Sequence, residues 1–188
     1  GTHYQFQRFG CFSDDKDATA SKLLFNKTAG LKDAWEEKGK KEENSINNSL
    51  KEINKYFKVS TIEERIAIRK SIGSTLSEIT NYSLLQNSFK KNISNNKSSL
   101  LFSQFILKYS FLKFSDYLID DIKKLFLMSL RSESSFVRSR AILNLIHLDL
   151  DLDFVKSFKE EVLKLKSNPS KNTTEQEQEY IVYYLNKF

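Results

Sequence analysis

The sequence predicts an all-α protein, built as a right-handed stack of antiparallel helical hairpins. Its 188 residues include only five Gly and one Pro, which leaves little material for the tight turns that connect β-strands. Apolar residues recur every three or four positions along most of the chain, which is the periodicity of amphipathic helices. The predicted helices begin at intervals of about 19 residues, so that a hairpin takes roughly 40, the size of a helical repeat unit. We therefore expect no sheet of more than two strands.

The first part of the chain has the weakest helical pattern. Residues 1–17 are predicted to form an irregular N-terminal arm, whose aromatic residues could also make a short strand, and residues 18–188 a helical repeat domain. Within that domain, 18–27 and 31–38 are expected as two short helices, the second anchored by Trp35. Gly30 separates these two predicted helices.

A linker-like stretch separates these helices from the regular part of the chain. Residues 39–49 are mostly Gly, Lys, Glu, Asn and Ser, which predicts a mobile loop. After it, Thr61 is followed by two acidic residues, a combination that caps a helix and suits the helix dipole. The helices expected beyond this one cover residues 82–93, 97–113, 116–130, 134–148, 152–166 and 174–187.

The clearest unit lies within residues 116–148, where two amphipathic helices are joined by a short polar turn. Each of these helices has an apolar row on one face and a second apolar row beside it. A helix that is apolar on two sides has neighbours on two sides, which is the situation of an interior helix in a stacked array. We therefore predict that Leu125, Phe126, Leu145 and Ile146 lie in the core.

Part of this unit resembles a known family. Val137, Arg138, Ala141 and Leu145 match the start of the second helix of a HEAT repeat, although two serines stand where that family often has a turn Asp. The resemblance implies a member of the HEAT and armadillo-like α-solenoid superfamily. It also implies that Arg138 is a structural residue, which bonds a carboxylate or helix-end carbonyls within the stack. The candidate carboxylates are Asp116, Asp120, Asp121 and Asp151.

Patterns that indicate catalysis, cofactor binding or metal binding are missing from the sequence. A zinc site needs three or four ligands, and His3, His147 and Cys11 do not form a cluster in the sequence. The aspartates within 14–17 lack the Gly and distal Glu of a calcium loop, and capping of the next helix explains them better. No Gly-rich phosphate loop occurs. The sequence therefore favours a protein without catalytic, cofactor-binding or metal-binding residues.

Two features bear on the cellular compartment. The single cysteine excludes an internal disulfide framework, which favours a reducing and hence intracellular setting, cytoplasmic or nuclear. The chain contains no run of 18 apolar residues, so we expect no membrane-spanning helix.

Two classes of function fit these observations. The resemblance to HEAT repeats implies a non-catalytic protein-interaction scaffold, or a fragment of a larger HEAT-repeat protein, with a protein partner. The alternative is a nucleic-acid-binding HEAT-like module, and the DNA glycosylases of this architecture extend that alternative to an enzyme with base-excision activity. The net charge of +6 permits a polyanionic partner. The candidate polyanion-binding residues are Arg65, Arg69, Lys70, Lys90, Lys91, Lys123, Lys124, Arg131 and Arg140.

Overall fold

The computed structural model describes residues 3–6, 10–14, 25–29, 31–110 and 118–188, and side chains from residue 34 onward. The chain divides into two compact units, residues 1–44 and residues 45–188. The two units are considered separately below.

The first unit contains a three-stranded antiparallel sheet, with strands β1 (His3–Phe6), β2 (Gly10–Asp14) and β3 (Phe25–Ala29) in sequence order. In this register His3 lies opposite Ser13, and the ladder between β2 and β3 is irregular at Cys11 and Phe12. The expectation of at most two strands in a sheet is therefore wrong, and residues 3–6 and 10–14 follow the strand alternative for the predicted arm.

The location of β3 also corrects the predicted helix over 18–27, since the end of that segment is a strand. β1 has aromatic residues at the alternating positions Tyr4 and Phe6, and β2 contains Phe12; aromatic residues are common in sheets. The pairing of β2 with a third strand more than ten residues away is a non-local contact, which local periodicity does not report.

Helix α1 (Leu31–Tyr56) corrects the predicted mobile loop, because the helix continues without a break through residues 39–49. The polar residues of that stretch include several Lys and Glu, which are good helix formers. Ile46 and Ile53, seven residues apart and hence on one face, are both buried and give the helix an apolar row. Trp35 is 67% exposed, so the prediction that it anchors a helix is also wrong.

The described part of the second unit has helices as its only regular secondary structure, which agrees with the all-α prediction for this part of the chain. After α1, they are α2 (Ile62–Glu78), α3 (Tyr82–Lys91), α4 (Lys97–Tyr109), α5 (Ile119–Leu130), α6 (Ser135–His147), α7 (Leu152–Lys156), α8 (Lys159–Ser167) and α9 (Glu175–Lys187). The predicted start of each helix lies within about three residues of the observed one, inside the usual uncertainty of helix ends. Residues 111–117, which include the end of the predicted helix 97–113, lie outside the described ranges.

The predicted helix over 152–166 is two helices, α7 and α8, separated at Ser157 and Phe158. The Ser157 hydroxyl donates a hydrogen bond to the Phe154 carbonyl, which competes with regular helical bonding at this point. Since neither Gly nor Pro lies at the break between α7 and α8, helix-breaking residues could not predict it.

Several helix starts are fixed by local caps, whereas α5, α6 and α8 have no side-chain cap. The Thr61 hydroxyl accepts from the Glu64 backbone N–H, and the Glu64 carboxylate accepts from the Thr61 N–H, which together form a capping box. Asn96 and Thr174 cap α4 and α9 through their side-chain oxygens in the same way. These short-range bonds explain why those helix starts could be predicted from the sequence.

The helices of the second unit pack as two rows. In one row α2 contacts α4, α4 contacts α6, and α6 contacts α9. In the other row α5 contacts α8. Contacts that join the rows are those of α3 with α4, of α5 with α4 and with α6, and of α8 with α9. The predicted core residues Leu125, Phe126, Leu145 and Ile146 are all buried, which confirms their placement.

A glycine of α2 faces an aromatic ring of α4. A Cβ added at the buried Gly73 of α2 would lie 3.2 Å from the Tyr109 ring of α4. Only a residue without a side chain leaves this ring in place.

Among the described residues, no helix has both the length and the apolar character needed to cross a membrane.

Candidate functional site

A groove of about 340 Å³ is lined mainly by residues of α2, α6 and α9, which belong to the first row of helices. We call it the cationic groove. Its wall combines arginines, aromatic rings, aliphatic side chains and neutral polar side chains, and none of its described lining residues is acidic. The lining residues are Tyr56, Ile62, Arg65, Ile66, Arg69, Phe136, Ser139, Arg140, Leu143, Thr174, Gln176 and Tyr180.

Arg65 of α2 is held in a fixed position in the wall. Its Nη2 donates to the Val59 carbonyl at 3.0 Å, which ties the side chain to the loop before α2. The guanidinium carbon lies 4.9 Å from the centroid of the Phe136 ring, the arrangement of a cation–π contact. Its Nε is buried and has no hydrogen-bond partner among the described residues. The groove therefore contains a planar cation stacked on an aromatic ring.

Phe136, at the start of α6, is itself held by other rings. Its centroid lies 5.8 Å from that of Tyr56 and 6.3 Å from that of Phe57, both in edge-to-face geometry. Phe136 is nevertheless 37% exposed, which is unusual for a ring with three aromatic or cationic neighbours. An exposed aromatic ring with a fixed orientation is available for contact with a ligand.

Three more cations lie at or beside the groove. Arg69 of α2 and Arg140 of α6 line it, and the Arg140 guanidinium lies 5.8 Å from the Phe105 ring centroid. The pKa of Lys108 on α4 is lowered by burial and then by the positive charges of Arg140 and Arg69, so the three cations are near neighbours. In the described part of the chain, none of these three residues has an ion pair with a carboxylate.

The structure thus brings together three of the nine basic residues selected from the sequence, namely Arg65, Arg69 and Arg140. Two others are paired with acids: Lys90 lies 3.4 Å from Asp121, and Arg131 forms a two-point pair with Glu161. The remaining four are exposed and do not line the groove; they are Lys70, Lys91, Lys123 and Lys124.

Three functional candidates were missed by the sequence analysis: Lys108, Phe136 and Tyr180. Lys108 lies in a helix that is apolar nearly all round, so in the sequence it is visible only as a charged residue that interrupts an apolar segment. Phe136 and Tyr180 are aromatic residues at helix positions, where a core role is the more common one. Their contact with the same groove depends on the packing of α6 against α9 and has no local signal in the sequence.

Arg138 lies away from the groove and is buried, with a side chain that is 2% exposed. Its Nε and Nη2 donate to the two carboxylate oxygens of Glu177 on α9, the second at 2.9 Å. Its Nη1 donates to the Ser132 carbonyl at 2.7 Å, and Nη2 also donates to Ser170 Oγ at 3.0 Å. The guanidinium therefore joins α6 to α9.

The carboxylate bound by Arg138 was not among the predicted candidates. It is Glu177, and not Asp120, Asp121 or Asp151, while Asp116 lies outside the described residues. Asp121 pairs with Lys90, and Asp151 caps α7 by accepting from the Phe154 N–H. The prediction considered the neighbouring helix and turn, whereas the true partner is 39 residues further along the chain.

Two further observations concern titratable groups in the described part of the chain. No three His, Cys, Asp or Glu side chains are grouped there in a way that could hold a metal ion. Burial raises the pKa of Tyr184 to about 12, and its hydroxyl donates to the Val155 carbonyl at 2.5 Å. This tyrosine is thus a neutral, hydrogen-bonded core residue.

Comparison with known proteins gives only local similarities. No family model matches the chain, and no solved structure matches it. Glutamine–tRNA ligase of Pseudoalteromonas atlantica is 59% identical over 32 residues, which are 17% of this chain and 6% of that protein. The enzyme of the same name from Lupinus luteus is 48% identical over 40 residues, 21% of this chain and 5% of that protein. The chain therefore spans only a small part of the length of the curated relatives it matches.

Proposed function

We propose that this chain is a non-catalytic RNA-binding module and that the cationic groove is its RNA-binding site. The observation that carries the proposal is the set of Arg65, Arg69, Arg140 and Lys108, which lie at one groove without carboxylate partners among the described residues. Keeping like charges together without counter-charges costs free energy. An anionic ligand would offset that cost, and the groove is therefore suited to a polyanion.

The residue types favour phosphate as the anionic group. Arginine presents a planar fork of donors that matches phosphate oxygens, and it stacks on rings as Arg65 does here. Nucleic-acid sites combine such cations with accessible aromatic rings, and this groove has the exposed Phe136 and the half-buried Tyr180.

The choice of RNA over DNA is supported by the local similarities. The names of the matched proteins state that they are ligases acting on glutamine and tRNA. A segment shared with such proteins suggests that tRNA is the RNA bound by this chain. The groove offers no acidic residue among its described lining for base excision, so a glycosylase-like function has no support there.

The row arrangement supports a HEAT-like α-solenoid as the architecture of residues 45–188. Successive contacts of α2 with α4, α4 with α6 and α6 with α9 are those of stacked hairpins, in which each unit touches its neighbours. The tie between Arg138 and Glu177 spans two adjacent helices of that row, the role that the resemblance implied for this arginine. In this proposal the groove lies on one row of the solenoid.

Protein binding is a second candidate function, and one observation favours it. On α9, Val182 is 45% exposed and Tyr183 is 54% exposed, on a shallow surface away from the cationic groove. Exposed apolar side chains that lie together often mark a protein contact. Replacing both by Ser should leave RNA affinity unchanged if protein binding and RNA binding use separate surfaces.

The proposal is tested by measuring tRNA affinity, for example by fluorescence anisotropy, with charge-reversed variants. Arg69→Glu with Arg140→Glu removes the groove cations and should weaken binding at least about tenfold, because phosphate contacts dominate affinity for nucleic acids. Lys123→Glu with Lys124→Glu makes the same change in net charge on exposed α5 positions and is the matched control. Equal losses in the two variants, or no loss in the groove variant, would contradict the proposal.

A further inference from the structure

We infer that the cationic groove takes an unpaired nucleotide, with its base stacked on Tyr180 or on the pair formed by Arg65 and Phe136, and with its phosphate bound by Arg69 and Arg140. This inference rests on the proposed function and specifies its ligand. The chemical class is a nucleoside monophosphate unit, which occurs within a single-stranded RNA segment and also as a free nucleotide.

The size of the groove argues for one nucleotide and against a duplex. Its volume of about 340 Å³ is near the lower end of pockets that hold small ligands, about 300 to 1,000 Å³. Double-stranded RNA is recognised by shape across many base pairs, through contacts with its backbone and shallow groove. A pocket of this size can enclose a base that has left its stack and cannot enclose a base pair within a helix.

The wall provides flat surfaces of the two kinds on which bases stack. RNA bases that are unpaired stack on aromatic rings or on arginine guanidinium planes. Arg65 is such a plane, and its bond to the Val59 carbonyl and its contact with Phe136 fix the orientation of that plane before any ligand arrives. Tyr180, half-buried on α9, is an aromatic ring in the same wall.

The remaining lining fits the other parts of a nucleotide. Arg69 and Arg140 come from different helices, so a phosphate can be bound from two sides. Gln176 and Ser139 offer neutral donors and acceptors, which can bond to base edges without adding charge. The absence of a carboxylate from the described lining removes the usual source of repulsion for a phosphate.

The test compares labelled RNAs of equal length in an anisotropy assay: an unstructured single strand and a blunt duplex. The single strand should bind more tightly than the duplex. Tyr180→Leu, which keeps the charge, should weaken single-strand binding about tenfold and leave duplex binding and the salt dependence unchanged. Tyr180→Phe keeps the ring and should retain the affinity of the wild type. Tyr183→Leu, an exposed position on the same helix, is the control.

The outcomes separate this inference from the proposed function. If the duplex binds as tightly as the single strand, or if Tyr180→Leu binds like the wild type, the nucleotide pocket is contradicted. The charge-reversed groove variant still decides RNA binding in that case. Adenosine monophosphate serves as the competitor that distinguishes the two sources. Adenosine monophosphate should displace the labelled single strand only at concentrations far above the dissociation constant of that strand. Displacement at concentrations equal to that dissociation constant would show that a free nucleotide, and not an RNA segment, is the ligand.

Discussion

Arg138 and Glu177 form a two-point ion pair between α6 and α9, in which the two side chains are 2% and 1% exposed. Both carboxylate oxygens accept from the guanidinium, and the other donors of Arg138 are bound by the Ser132 carbonyl and Ser170. Each nitrogen of the guanidinium therefore donates at least one hydrogen bond. Its energetic importance lies in what remains buried when one partner is removed.

Replacing Arg138 by Ala should destabilise the protein by about 3–5 kcal/mol, because Glu177 would remain buried without a partner. Chemical denaturation measures this loss. Arg131→Ala is the matched control, since Arg131 makes a similar two-point pair with Glu161 but is 63% exposed. That variant should lose less than about 1 kcal/mol. Similar losses in both variants would contradict the structural role assigned to burial.

The pH dependence of stability should include a contribution from Glu161. Hydrogen bonds from Arg131 and then Lys164 lower the pKa of this carboxyl from 4.5 to about 2. A carboxyl with a depressed folded-state pKa contributes stability above its unfolded pKa, and that contribution is lost as pH falls through the folded value. Wild type should therefore exceed Glu161→Gln in stability at neutral pH, by about 1 kcal/mol or less given its exposed partners. The difference should shrink as the pH falls from 4.5 to 2 and vanish below pH 2, and a difference that does not shrink over this range would count against the pairing.

Phe126 should be among the most costly residues to truncate. Its ring is fully buried and makes edge-to-face contacts with Phe154 at 6.4 Å and Phe158 at 5.5 Å. Phe126→Ala should cost about 3–5 kcal/mol in chemical denaturation, the usual range for a buried Phe. Leu163→Ala, at a position that is 42% exposed, should cost far less. A loss below about 1 kcal/mol at Phe126 would show that α5 is oriented differently.

Two helical glycines should respond in opposite directions to a larger side chain. Gly39 of α1 has nothing within 4 Å of an added Cβ, so Gly39→Ala should stabilise by about 0.5–1 kcal/mol. Gly73→Leu should destabilise by about 1–3 kcal/mol, because the new side chain would collide with the Tyr109 ring. Thermal unfolding of the two variants checks both. No gain at Gly39 would favour the loop that the sequence predicted over the helix in the structure.

The features that could be predicted from the sequence are those that depend on near neighbours. The Thr61 cap uses Glu64, three residues away, and the core rows of Leu125, Phe126 and Leu145 follow helical spacing. The pairing of β2 with β3, the binding of Arg138 to Glu177 and the location of Arg69 and Arg140 at one groove each bring together residues that are distant in the chain. Those contacts are set by how elements pack, which a single sequence does not encode in a local pattern.

The wrong prediction of a loop over residues 39–49, which are part of α1, has a different cause. Its composition resembles a linker, yet its Lys and Glu residues are also strong helix formers, and the Glu37–Lys41 pair at 3.1 Å supports the preceding helical turn. Composition alone does not distinguish a solvated helix from a loop. The decisive features are Ile46 and Ile53, whose burial gives the helix a face to pack.

The salt dependence of tRNA binding tests the central claim most directly. Binding constants for wild type and for Arg69→Ala with Arg140→Ala would be measured by anisotropy over a range of salt concentrations. If both arginines bind phosphates, the slope of log Kobs against log salt should become shallower by about 1.4 to 1.8, since each lost phosphate contact changes it by about 0.7 to 0.9. The same change in charge at Lys123 and Lys124 should alter the slope little. Parallel lines for wild type and the groove variant would show that the cationic groove does not bind the RNA backbone.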